Sequence, residues 1–404
     1  MNSPPPTRRT FLKQAGLVTA ASISLTGCTE SLPPLGNRVQ YGRIDTPPVN
    51  TNPTYRQWLP AASTLPSGDI NPGYVNYVQP QNLGQQETGI VNKNAHFFQK
   101  LYLDSFGLDY ESYDSVIGLH RTTKSTYVLQ GDITTETVTQ TLLDSGYTTA
   151  GSYQDYELFD RTDSPRTAAV SPTAIVWAHH EQSTAIVEAV IDAKRGAVPR
   201  HHETDDAFAS ATDAIGAGSW TMIGGLGIDP TRSALIRSMT YMPGDDGIYY
   251  IHKQLYPEND VITEQTLRDA LEENTRARDS RSVDIQIEGQ IATIAMHLPH
   301  ESLQTDYADA TVPIITWGVE TDGETLTIQH EAGDSTPAES ITVSIQEGSE
   351  RTEVESQFSD TLDRIQPGDT LTIDAPDTDA DRIVGTYSPV DATRSASFVI
   401  YELP

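Results

Sequence analysis

Two short clusters of histidine and glutamate are the side chains in this sequence best suited to bind a metal ion. They are His179-His180-Glu181 and His201-His202-Glu203, and imidazole with carboxylate suits zinc and other transition ions. A helix predicted over about Ser183 to Arg195 would carry the chain ~18 Å away from the first cluster. The residues 196–200, extended at ~3.4 Å each, could barely return it. The spacing therefore predicts solvated histidines at a strand end and in a loop, and no shared metal site.

Two other segments imitate known binding loops but fail at the positions that matter. Residues 377–381, Asp-Thr-Asp-Ala-Asp, match the first half of a calcium loop, yet Arg382 replaces its glycine and Ser388 its final glutamate. Residues 222–227 are rich in glycine but lack the G-x-G-x-x-G spacing of a dinucleotide site. The G-x-S-x-G, H-E-x-x-H and G-K-[ST] signatures are absent. The sequence thus predicts no cofactor, no metal and no catalytic residue, although a triad assembled from distant residues stays open.

The amino-terminal segment carries the most specific pattern in the chain. Arg8-Arg9 is followed by a short apolar stretch, Ala15 to Leu25, and then by Leu25-Thr26-Gly27-Cys28. This arrangement resembles a twin-arginine (Tat) signal that ends in a lipobox. The resemblance implies recognition of Arg8 and Arg9 by the Tat translocase, cleavage before Cys28 and a lipid on its thiol. Two acyl chains are expected, because one chain gives only reversible attachment. The alternative is an uncleaved anchor, but the stretch falls short of the ~20 residues that span a bilayer.

Composition indicates where such a protein would work. The chain has 26 basic and 56 acidic residues, a formal charge of -30, and only six lysines beside twenty arginines. At 1 M salt the Debye length is about 3 Å, so the repulsion within such an acidic surface is screened. This composition favours a halophile; the alternative is a cation-dependent surface protein in ordinary salt. Nucleic acid is excluded as a partner, because no basic stripe is present.

The amino-terminal signal, and the segment without apolar periodicity that follows it, indicate how the chain is divided into domains. Cys28 is the only cysteine, so no disulfide can form within the chain. Residues 1–27 are predicted to be the signal peptide and 28–52 a Pro-rich tether on the lipid anchor. An α+β domain is expected over 53–310 and a β-sandwich over 311–404.

The region 53–310 contains a faint internal repeat. The segments Ile133–Val138 and Ile262–Leu267 lie 129 positions apart, and in each a threonine behind the isoleucine can cap a helix. Each predicted helix precedes a predicted hairpin, over 147–159 and 283–297. The fold class predicted is α+β, with two related helix-plus-hairpin halves forming a sandwich. Chance similarity of two capped amphipathic helices is the alternative.

Part of this region resembles surface lipoproteins of haloarchaea that have no known biochemical role. The shared pattern is a strand that ends in Gly-Asp (Tyr127–Asp132), a helix, the pair Gly146-Tyr147, a tyrosine-containing hairpin and the buried strand Ala168–Val170. The resemblance covers about a quarter of the chain. It implies habitat and topology, not an activity.

The last ninety or so residues change to short alternating strands separated by acidic turns, which is typical of a β-sandwich. Leu326–Asp334 and Gln366–Thr370 resemble the immunoglobulin-like head of archaeal type IV pilins, except that Ala332 replaces the first glycine of its His-x-Gly-Gly-Asp pattern. The apolar pilin helix is missing, so we expect an all-β immunoglobulin-like surface module, not a pilin subunit.

Three functions remain compatible with these patterns. The leading hypothesis is a non-enzymatic, lipid-anchored protein on the extracytoplasmic face of the membrane that binds a surface protein or carbohydrate, or supports the envelope. A solute-binding lipoprotein of a transporter is the second, although such receptors normally have two doubly wound lobes. An extracellular enzyme without a recognisable motif is the third.

Overall fold

The computed structural model describes residues 38–50, 52–66, 71–84, 99–120, 124–224, 234–299, 312–374, 380–389 and 395–403. The signal residues Arg8 and Arg9, the lipobox cysteine Cys28, and Asp377 and Asp379 of the acidic run lie outside these ranges. Residues Val39–Pro404 form one compact unit.

One large antiparallel sheet organises the chain as far as Pro299. Its twelve strands lie in the spatial order β11-β12-β10-β9-β8-β1-β2-β3-β7-β6-β5-β4. Their bounds are β1 Val75–Val78, β2 Ser115–His120, β3 Ser125–Gln130, β4 Tyr147–Tyr153, β5 Tyr156–Arg161, β6 Arg166–Ser171, β7 Ala174–His179, β8 Trp220–Ile223, β9 Ile236–Gly244, β10 Gly247–Leu255, β11 Ser282–Glu288 and β12 Ile291–Pro299.

The sheet consists of two sets of strands with similar connectivity, β1 to β7 and β8 to β12, which we call the two strand courses. First β1, β2 and β3 form a meander, and after a helix the strands β4 to β7 return so that β7 pairs with β3. Then β8, β9 and β10 form a meander, and β11 and β12 return so that β12 pairs with β10. The two courses meet where β1 pairs antiparallel with β8, with Val75 opposite Ile223 and Val78 opposite Trp220.

Helices cover both faces of this sheet, because neighbouring strand residues point to opposite faces and both sets are apolar. Tyr127 and Leu129 lie in one core cluster with the first long helix, whereas Val128 between them lies in the other cluster. The α-helices whose bounds lie within the described residues are α1 Pro80–Gly84, α2 Thr135–Asp144, α3 Ser183–Arg195, α4 His201–Thr204, α5 Asp206–Ile215, α6 Glu264–Leu271 and α7 Thr275–Asp279. Residues of α2, α6 and α7 lie on one face and those of α3 and α5 on the other.

The strands behind residue 312 form smaller antiparallel sheets, in the orders β13-β14-β19, β15-β18 and β17-β16-β20-β21. Trp317 and Ile328 of the first and Val343, Ile383 and Phe398 of the last share one hydrophobic cluster. The bounds are β13 Ile315–Thr321, β14 Thr325–Gly333, β15 Thr336–Pro337, β16 Ile341–Glu347, β17 Glu350–Glu353, β18 Arg364–Ile365, β19 Thr370–Asp374, β20 Arg382–Tyr387 and β21 Ala396–Glu402.

The predicted fold class is confirmed as far as a mixed helix and sheet structure with mostly antiparallel strands. Both predicted hairpins form, as β4-β5 and β11-β12. The strands of both predicted halves nevertheless hydrogen-bond into one continuous sheet. Thr263 caps α6 as predicted, its hydroxyl accepting from Thr266 N at 3.2 Å. The cap predicted for α2 is wrong, because the side chain of Thr134 makes no such bond.

The second part of the predicted tether packs against the sheet. Tyr41 forms a parallel bridge with Val283, and Asn50 forms an antiparallel bridge with Ala217. The ring of Tyr41 lies 4.0 Å from the guanidinium carbon of Arg268. Residues 39–50, which the sequence assigned to the tether, therefore belong to the compact unit.

Candidate functional site

Two of the four histidines predicted to be solvated, His180 and His201, are buried. His180 is 2% exposed and its Nδ1 accepts a hydrogen bond from Gln182 N at 2.9 Å. His179 ends β7 beside Trp177, and burial lowers its pKa to about 3. His201 is 8% exposed. The prediction of solvated side chains is wrong for His180 and His201, whereas His179 and His202 are half-buried.

The described part of the chain contains no group of three or more His, Cys, Asp or Glu side chains placed to hold a metal ion. Helix α3 begins at Ser183 and ends at Arg195, as the spacing argument assumed. Of the glycine-rich segment 222–227, only the first three residues are described, and they end β8 at Ile223 with Gly224 behind it. None of the helices in the described ranges combines the length and apolar character needed to cross a bilayer.

A cavity of about 320 Å³ is the main candidate binding site in the described structure. It lies where β1 begins, β8 ends and β9 begins, which is the seam between the two strand courses. Helices α4 and α5 form its other side. The lining residues are Asn71, Gly73, His201, Asp205, Phe208, Gly224, Ala234, Leu235, Ile236 and Arg237. We call this space the seam cavity.

His201 is the buried polar group of the seam cavity. Its ring packs against Phe208 with 4.6 Å between centroids. Its backbone N–H donates to Leu59 O at 2.8 Å, which fixes the start of α4. The Nδ1 atom is buried and has no hydrogen-bond partner. Burial lowers the pKa of His201 although Asp205 acts in the opposite direction, so the imidazole is neutral at pH 7.

Asp205 and Arg237 place opposite charges on the same cavity. Asp205 is the N-cap of α5, and its Oδ1 accepts from Phe208 N at 2.8 Å. Arg237 lies on β9, directly opposite Gln254 of β10. The remaining polar side chain is Asn71, whose Oδ1 accepts from Gly73 N at 2.9 Å. Among the described lining residues, the polar side chains are therefore one imidazole, one carboxylate, one guanidinium and one amide, a set that can bind a polar ligand.

Two glycines keep the seam cavity open at the strand ends. A Cβ on Gly73 would lie 3.2 Å from His201 Nε2. Gly224 has a φ of +79°, and a Cβ there would lie 2.9 Å from Gly73 O. A side chain at either position would therefore fill the space or strain the backbone.

A second polar cluster ties the large sheet to the carboxy-terminal strands. Arg166 Nη1 lies 3.0 Å from Asp104 Oδ1 and also donates to Trp317 O at 3.3 Å. Tyr147 donates its hydroxyl to Asp104 Oδ2 at 2.6 Å. Trp177 Nε1 in turn donates to the Tyr147 oxygen at 2.9 Å. The group is buried and internally bonded, which indicates a structural role.

Arg161 extends this connection to β14. Its Nη1 lies 2.6 Å from Glu331 Oε2 and its Nη2 lies 2.6 Å from Asp163 Oδ2. It also donates to Ser145 O at 2.8 Å, at the end of α2. Burial raises the pKa of Glu331, although its bond to Arg161 opposes that shift. We call Asp104, Tyr147, Arg161, Arg166 and Glu331 the interface cluster.

Comparison with known proteins assigns no family. No protein-family model matches the chain, and no curated protein matches it either. Among solved structures, crystal form III of TP0453 is 9% identical, covers 60% of this chain and 95% of that chain, and has a TM-score of 0.36. Crystal form IV of TP0453 is 9% identical, with 61% and 96% coverage and a TM-score of 0.37. A TM-score this low carries no argument about fold or function.

Sequence reasoning considered His201 but missed its neighbours in the seam cavity. Asp205 has a local signal, because an aspartate before the alanine-rich run 206–215 is typical of a helix N-cap. Asn71 and Arg237 have none, since they reach the cavity only through the pairing of β1, β8 and β9. The predicted site residues Arg8, Arg9 and Cys28 lie outside the described residues.

Proposed function

We propose that the protein is a lipid-anchored, extracytoplasmic surface protein that acts by non-enzymatic interaction or as part of the envelope structure. The observation that carries this proposal is the lipobox Leu25–Cys28 behind Arg8-Arg9. Cys28 is the only cysteine, so lipid attachment is the one evident use of its thiol. The proposed partners are the membrane, the Tat translocase during export, and a surface protein or carbohydrate.

The packing of residues 39–50 refines the proposed tether. Because Tyr41 bridges to β11 and Asn50 bridges to Ala217 ahead of β8, the segment left to link the anchor to the compact unit is about 28–38. Its Pro33-Pro34 pair favours an extended backbone. The charge of -30 further supports a halophilic setting, where high salt screens the acidic surface.

The finer fold assignment is also a proposal: two related halves, followed by an immunoglobulin-like module. The support for related halves is that both predicted repeat helices, α2 and α6, follow the third strand of a meander. In each course the chain then returns to pair with that third strand. The support for the module is the core that two antiparallel sheets share around Trp317 and Val343.

The anchoring proposal is tested by fractionation of cells that express the full chain in a haloarchaeal host. Wild type is expected in the membrane fraction, and Cys28→Ser is expected folded in the medium or wash. Replacing Arg8 and Arg9 together by lysine should instead retain the precursor in the cytoplasm. Retention of Cys28→Ser in the membrane, with its folding shown by circular dichroism, would overturn the proposal.

A further inference from the structure

We propose that the seam cavity binds a small zwitterionic solute of the α-amino acid class. The inference goes beyond the anchoring proposal and does not depend on it. Its failure would leave the role of Cys28 unaffected. Three features of the cavity support the proposal: its paired charges, a buried imidazole in its wall, and its size.

The paired charges define the ligand class. Asp205 uses Oδ1 to cap α5, but a carboxylate has about four acceptor positions, so it can also accept from an ammonium group. Arg237 lines the same cavity. A guanidinium has five N–H donors and can bind a carboxylate while keeping another partner. A ligand with one ammonium and one carboxylate group can pair with both side chains. A purely anionic ligand would be repelled by Asp205, and a purely cationic ligand by Arg237.

His201 adds a hydrogen-bonding group to the cavity wall. Its side chain is more than nine-tenths buried and lines the cavity. Its Nε2 lies beside the lining residue Gly73, where a Cβ would be 3.2 Å from it, and this nitrogen can hydrogen-bond a polar ligand. A neutral imidazole can donate or accept a hydrogen bond without repelling an ammonium group.

The size and remaining walls restrict the ligand to a small molecule. The volume of about 320 Å³ lies at the lower end of the range for ligand cavities, about 300–1,000 Å³. Ala234 and Ile236 add apolar surface that can contact the side chain of an amino acid. Leu235, which is 58% exposed, lies at the same cavity.

The test is calorimetric titration of the purified full-length protein in molar salt, with the proteinogenic L-α-amino acids as probes. At least one is expected to bind with a Kd of about 1 mM or tighter. Its N-acetyl and carboxamide analogues, which each lack one charge, should bind at least about tenfold more weakly. If no amino acid binds, or if the analogues or a neutral sugar bind equally well, the proposal is wrong.

Variants then locate the site. Asp205→Asn removes the charge but keeps an N-cap, since asparagine caps as well as aspartate. It should weaken binding at least about tenfold, as should Arg237→Gln. The matched control is Asp206→Asn, which removes an exposed carboxylate next in sequence that does not line the cavity. Unchanged affinity in a folded Asp205→Asn protein, or equal losses in both asparagine variants, would overturn the assignment.

Discussion

Burial lowers the pKa of several histidines in the described part of the chain, among them His179, His201 and His252. His252 on β10 is 5% exposed and stands edge-on to Tyr250 at 4.2 Å between ring centroids. Burial lowers its pKa from 6.5 to about 3, and the nearby Arg276 acts in the same direction. The sequence showed which histidines exist but not which are covered. His201, for example, is held by a bond to Leu59, far away in the chain.

His252 should make the protein less stable in acid. The unfolded chain binds this proton at about pH 6.5 and the folded chain only near pH 3. His252 therefore does not lower the free energy of unfolding above pH 6.5. As the pH drops from 6.5 towards 3, its effect lowers that free energy by about 1.4 kcal/mol per pH unit. His252→Phe removes this dependence while keeping an aromatic ring beside Tyr250.

Urea unfolding at pH 7 and pH 5, at the same salt concentration, measures the effect. Relative to wild type, His252→Phe should gain about 2 kcal/mol of unfolding free energy between the two values. Carboxylates titrate in both proteins and cancel in the comparison. An unchanged difference between the variants at the two pH values would contradict the assignment of a neutral, buried His252.

At the scale of elements, local sequence patterns predict many individual strands and hairpins, but they do not predict which distant elements contact each other. The local pattern over 283–297 predicted a hairpin, which forms as β11-β12. Helix α5 was missed, although Asp205 before an alanine-rich run gives a local signal. The interface cluster could not be predicted, because Arg161 and Glu331 are 170 positions apart and meet only through tertiary packing.

Arg161→Met tests whether the interface cluster holds β5 and β14 together. The Arg161 side chain is 1% and Glu331 16% exposed, so removal of the cation leaves a buried carboxylate without its partner. A loss of about 3–5 kcal/mol in unfolding free energy is expected. Arg195→Met is the control: its bond to Asp155 is exposed, 48% and 67%, and should cost about 0–1 kcal/mol.

Urea titration measures the free energy of unfolding of Arg161→Met and of Arg195→Met. Adding Glu331→Gln to Arg161→Met should recover part of the loss, because the stranded charge is then removed. Equal, small losses in Arg161→Met and Arg195→Met would show that the cluster contributes no more than a surface ion pair.

For the molecule as a whole, composition and the amino-terminal motifs predict setting and attachment, while architecture comes from long-range pairing. The pairing of β1 with β8 joins the two strand courses, and no local signal in Val75–Val78 indicates that partner. The same pairing creates the seam cavity, so its lining could not be assembled from sequence alone. Binding by the cavity and anchoring through Cys28 are separate properties, and each can be tested without the other.

The central claim is that the mature protein begins at Cys28 and carries lipid there. Mass spectrometry of the amino-terminal peptide from membrane-fraction protein tests it most directly. We expect a peptide that starts at Cys28, lacks residues 1–27, and bears two acyl or alkyl chains attached through the cysteine. A membrane-bound protein with an unmodified Cys28, or with the segment Met1–Gly27 still attached, would contradict it.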